Sequence, residues 1–128
     1  MSYYFAKIVQ TNFEETLIKV EEELKKESFG VLTEIDVQAT FKKKLDVDFR
    51  KYKILGACNP PFAHKALTAE DKAGVLLPCN VIVQELENNN VEVAIVNPID
   101  SMQSVKNDKL GEIASEVTDK LKRVLDKI

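Results

Sequence analysis

The sequence predicts an α+β protein: a two-layer fold with about five strands in a mixed or antiparallel sheet and helices packed mainly on one face. Three observations carry this expectation. Strand-like and helix-like segments alternate along the whole chain. Two of the strands are separated only by Glu87-Asn88-Asn89-Asn90, and asparagine tolerates the left-handed backbone of a tight hairpin, so they should pair antiparallel. The second strand collects its charged residues on one side, as a sheet with one polar face does.

Taken in order, Tyr3 to Val9 is rich in aromatic and β-branched residues and reads as a strand. TNFEETLIKVEEELKKESFG is a helix. Thr11 or Asn12 caps it, Glu14 and Glu15 favour its positive end, Phe13, Leu17, Val20 and Leu24 recur at helical spacing, and Gly30 is expected to stop it. VLTEIDVQ alternates, which places Val31, Thr33, Ile35 and Val37 on one face and Leu32, Glu34, Asp36 and Gln38 on the other. A short helix over Ala39–Leu45 follows, then the strand YKILGAC, a helix from Asn59 to about Lys72, and the hairpin of LLPCNVIVQEL and VEVAIV. The last helix is the clearest element. Leu110, Ile113, Ala114, Val117, Leu121, Val124, Leu125 and Ile128 form one apolar stripe, with Asn107 or Asp108 as its cap.

Length and charge narrow the function. A chain of 128 residues is the size of one domain, 1–128, with no repeat or linker-like stretch. Its net charge is −3. This argues against a nucleic-acid binder, whose basic surface would dominate. The run Lys42-Lys43-Lys44 faces Asp46 and Asp48 and reads as a solvated face. No apolar run nears the ~20 residues that span a bilayer, so no membrane partner is expected. MSYYFAKIVQ lacks the pattern of a secretory signal, so a cytoplasmic location with both cysteines as free thiols is expected.

The stretch GACNPPFAHKAL, Gly56 to Leu67, holds the candidate site. A strand ends at Cys58, Asn59 caps a helix, and Pro60 and Pro61 fill its first turn, where a missing N–H is tolerated. Cys58 then faces a positive helix end, a setting that favours a thiolate or a bound anion. Gly56 leaves room beside it for a ligand or another backbone. His64 falls at the border of that helix's apolar stripe, Phe62, Ala63, Ala66 and Leu67, and is a candidate to reach back toward Cys58. Cys79, in LLPCNV, shares a strand face with Leu77, Val81 and Val83, and pairing of the two strands would make it a neighbour of Cys58 on one side of the sheet. Cys58, Asn59, His64 and Cys79 are therefore the expected ligand-binding residues. Cys58, His64 and Cys79 also have donors suited to zinc or another soft divalent metal, although their spacing matches no common zinc motif. As free cysteine is often simply buried, both thiols also fit as small core residues. A nucleophilic Cys58 with His64 as base is the enzymatic alternative. Glu34 and Asp36, two apart, read as solvated rather than as paired catalytic acids.

The sheet face expected to point outward mixes charges with Leu32, Leu55, Ala57, Ile82 and Leu86, and such a half-apolar face needs cover. A homodimer is the expected cover, closed symmetric pairs being the commonest oligomers.

The blocks KYKILGACNPPFAHKAL and LLPCNV, within a stretch running from about Gly30 to Glu85, together with VNPIDSM, resemble the domain of unknown function family 302. The resemblance implies a compact α+β domain found chiefly in bacteria and archaea, and a dimer. It implies no activity, and no site residues can be carried over from it. The leading expectation is thus a cytosolic homodimer that binds a small ligand, anion or soft metal near the thiols. A thiol-dependent enzyme, or an interaction module with no site, are its rivals, and a catalytic role is not favoured.

Overall fold

The computed structural model describes residues 2–128. The strands are β1 (Tyr4–Val9), β2 (Gly30–Asp36), β3 (Tyr52–Cys58), β4 (Cys79–Glu85) and β5 (Val91–Val96). The helices are α1 (Phe13–Lys26), α2 (Val37–Leu45), α3 (Pro60–Ala69), the short α4 (Pro98–Ser101) and α5 (Asp108–Asp126). All strand pairs are antiparallel, in the order β1-β5-β4-β3-β2. The expected two-layer α+β fold is what forms.

Each helix begins on an asparagine or aspartate whose side chain accepts a backbone N–H: Asn12, Asp36, Asn59, Asn97 and Asn107. The β4–β5 hairpin turns through Asn88 and Asn89, at φ 64° and 62°, the left-handed conformation asparagine accepts most readily after glycine. The end of α1 differs from expectation. Ser28 takes the left-handed turn (φ 68°), and the Phe29 N–H returns to the Leu24 carbonyl at 2.9 Å, so Gly30 already belongs to β2.

Helices α1 and α5 cover one face of the sheet. There Val20, Leu24, Leu121 and Val124 pack on Leu55, Val81, Val83, Val91, Val93 and Ile95, all essentially inaccessible to water. The C-terminal end of α5 is tied to β1, where the Lys7 ammonium donates to the Leu125 and Asp126 carbonyls at 3.4 and 3.3 Å.

The opposite face is open, and its composition corrects two expectations. A register shift between Val31 and Thr33 reverses the alternation of β2. Val31 pairs with Ala57, Glu34 with Leu55 and Asp36 with Lys53, all facing the helix layer, while Thr33 and Ile35 turn to the open face beside Gly56 and Ile54. Leu55 and Ala57 are buried under the helices rather than facing outward. The open face instead carries one apolar residue per strand in register: Ala6, Ala94, Ile82, Ile54 and Ile35. Tyr4 and Ile8 flank this row on β1. Phe41, Phe49 and Tyr52 cluster at one end, with ring centroids 5.1 and 6.2 Å apart. Arg50, Gln84 and Glu92 form a hydrogen-bonded chain beside them, both bonds 2.8 Å.

Candidate functional site

Where the ends of β3 and β4 meet α3 and α5, small side chains leave space between the layers. Ala57 on β3, Ala63 and Ala66 on α3, Gly74 in the turn that follows α3, and Ala114 on α5 all border a cavity of about 260 Å³. Larger walls come from Phe29, Phe62, Leu77, Met102 and Val117. The chain bends twice to close it. Asn59-Pro60 opens α3 and Asn97-Pro98 opens α4, and both asparagines are buried caps. Asn97 binds its own terminus by donating to the Ser2 carbonyl at 3.1 Å, which fixes the start of α4 and sets Pro98 in the cavity wall. The second Asn-Pro pair was the available sequence signal for this wall, and the expected element order contains no helix there.

Three of the four expected ligand residues border this cavity: Cys58, Asn59 and Cys79. His64 does not. It lines a separate surface groove with Lys65, Lys109, Glu112 and Glu116, and Phe62 and Ile113 stand between the two spaces, lining both. A single helical step explains this, because Phe62, Ala63 and Ala66 occupy the inner face of α3 and residue 64 falls on the other side. Among the described residues no group of three or more His, Cys, Asp and Glu side chains is placed to hold a metal ion. The expected Cys58/His64/Cys79 ligand set therefore does not assemble within one chain, and His64 is not placed to serve Cys58 as a base.

The two cysteines are free and close, but not on one side of the sheet. Cys79 pairs in register with Ala57, whereas Cys58 pairs with Gly30. Cys79 therefore points into the helix layer and Cys58 to the other face, and they meet the cavity from two sides of the strand ends. Burial pushes the Cys79 thiol up from an ordinary 9.0 to about 11, with the neighbouring Cys58 adding to the effect.

The start of α3 is chemically quieter than its sequence promises. Pro60 and Pro61 carry no N–H. The next two amides are already taken: Phe62 donates to Asn59 Oδ1 at 3.5 Å and Ala63 to the Asn59 carbonyl at 2.9 Å. Asn59 Nδ2 in turn donates to the Glu27 carbonyl at 3.3 Å. The double proline that starts this helix thus leaves its first turn without a free amide to offer an anion. Gly56 has a different role from the expected one. A Cβ there would meet the Thr33 side chain and, at 2.7 Å, Pro78 Cγ, so the space beside Cys58 is filled by the chain itself.

The family model described as "Domain of unknown function DUF302" matches residues 5–128. The crystal structure of an uncharacterised conserved DUF302 protein from Bacillus stearothermophilus is similar, with 30% sequence identity and a TM-score of 0.92, covering 99% of this chain and 98% of that one. Among curated proteins, none matches. No helix among the described residues is long and apolar enough to cross a membrane.

Proposed function

Because the chain belongs to the domain of unknown function family 302, whose name carries no activity, we propose from the geometry that it is a binding domain for a small molecule, held in the cavity at the ends of β3 and β4. The cavity carries this reading. A concave, almost wholly apolar space of some 260 Å³ at the meeting of strand ends and helices is the form in which small molecules are usually held. Cys58 and Cys79 border the space as thiols, and the reading needs no reaction from them. A screen of small fragments, neutral and charged, followed through the methyl resonances of Ala66, Ala114 and Met102, tests it. Fragments that shift these methyls saturably support a binding domain; a library that leaves all three unmoved overturns it.

Association of two copies through the open sheet face is a second part of the proposal. The row Ala6, Ala94, Ile82, Ile54 and Ile35 runs across all five strands without a charge. Strands ~4.8 Å apart with a rise of ~3.3 Å per residue make this face roughly 500 Å² before side-chain relief. A stable interface needs about 800 Å² per partner, so the exposed Tyr3 and Tyr4 and the Phe41–Phe49–Tyr52 cluster would have to join it. A cytoplasmic setting fits the two free thiols.

A further inference from the structure

We infer that the ligand of this cavity is an uncharged, apolar molecule of about ten non-hydrogen atoms, an inference that rests on the cavity being the binding site. Size comes first. An apolar protein cavity of about 150 Å³ takes up benzene, and scaling from its six carbons to some 260 Å³ gives about ten atoms, below drug size.

Polarity follows from the walls. Every residue bordering the space is uncharged. Asn59, its most buried polar side chain, has both amide atoms engaged by main-chain groups, donating to the Glu27 carbonyl and accepting from the Phe62 N–H. The first turn of α3 has no amide to spare, because two of its residues are proline and the next two amides are bonded to Asn59. The cations nearest Phe62, Lys65 and Lys120, lie over its ring at 5.5 and 6.0 Å, and Lys65 belongs to the outer groove. An ion entering the cavity would therefore lose its water and find no partner, whereas an apolar molecule would lose only unfavourable hydration. The Cys79 thiol gauges the same environment from within: its surroundings hold the neutral form up to about pH 11. Met102, unbranched and polarizable, lets one wall adapt to rings or chains.

The test uses the full chain and four probes of matched size. Naphthalene and n-butylbenzene are neutral; phenylacetate and 3-phenylpropylammonium carry charge. Binding is read from the Ala66, Ala114 and Met102 methyl resonances and from the melting midpoint. The neutral pair should shift the methyls saturably and raise the midpoint, binding at least tenfold more tightly than either charged probe. Ala114→Leu and Ala63→Leu, which fill the space from α5 and from α3, should each weaken neutral binding at least tenfold while keeping a native circular dichroism spectrum. If a charged probe binds at these methyls as tightly as the neutral ones, the ligand class is overturned and the cavity reading survives. If no probe moves the methyls, or if well-folded filled variants bind unchanged, the cavity reading falls and the inference falls with it.

Discussion

Cys58 and Cys79 approach one cavity from opposite faces of the sheet, and this separates their chemistry. Cys79 is buried at 8% exposure and its thiol is pushed up to about 11, whereas Cys58 is half-buried. Only thiolates alkylate readily, so iodoacetamide on the native protein should modify Cys58 first. Mass spectrometry of the digest, showing Cys79 modified at the same rate or faster, would contradict this placement. The same residue makes stability depend on alkaline pH. Cys79's folded value of about 11 lies above an ordinary 9.0, so between those values the unfolded chain holds fewer protons and stability falls as pH rises. Two units correspond to about 2–3 kcal/mol, present below pH 9 and lost on passing through pH 11. Urea unfolding at pH 8 and pH 11 should show the wild type losing that much more than Cys79→Ala, in which the group is absent; equal losses would rule it out. Gly56 is constrained by close approach rather than by backbone angle. Gly56→Ala places a methyl group against Thr33 and Pro78 and should cost ~1–3 kcal/mol by overpacking, visible as a lower urea midpoint.

At the scale of elements, α5 does most to hold the layers together. Its buried face packs Leu110 and Ala114 against the α3 and Met102 cluster, and Leu121, Val124 and Leu125 into the main core. Arg123 and Lys120 also reach Glu27 at the end of α1, at 3.0 and 3.8 Å, and the Arg123 guanidinium holds that carboxyl below its ordinary value. Fully burying a side chain such as Leu or Val contributes ~1.5–3 kcal/mol, against a total stability of ~5–15 kcal/mol. A chain ending at Asn107 should therefore show no cooperative melting transition; one near the full-length temperature would refute the assignment. Loss of α5 would also open the cavity, since Ile113, Ala114 and Val117 form one of its walls.

For the whole molecule, the two sheet faces differ in what covers them. One is closed by α1 and α5; the other presents its apolar row with Tyr4, Ile8 and Ile35 substantially exposed. Apolar area of this kind is stabilised when a second surface removes it from water. Light scattering during gel filtration should give about twice the 14.4 kDa chain mass at micromolar concentration. Ile82→Lys, in the centre of the row, should return it to 14.4 kDa with its circular dichroism intact. A wild-type mass of 14.4 kDa at every concentration removes the dimer from the proposal.

Local chemistry by itself determined the α+β class, the asparagine-capped helix starts, the Asn88–Asn89 hairpin and the apolar stripe of α5. Each depends on residues within a few positions of one another, where spacing and side-chain type act directly. Cys58 and Asn59 could be singled out for the same reason, because a strand end, a cap and a proline are local marks, whereas Cys79 joined them only through the expected pairing of β3 with β4. Tertiary structure decided which way the strands face. The register shift in β2 turned Glu34 and Asp36 toward the helices and Ile35 away from them, and a one-residue slip reverses every side chain beyond it. It decided too that Ala57, not Cys58, lies opposite Cys79, and that one helical step puts His64 outside the cavity wall. The cavity itself was not legible, because it is a gap among residues from several elements far apart in the chain. Its existence depends on how α3, α4 and α5 pack around the strand ends, and no single stretch of sequence contains that distance.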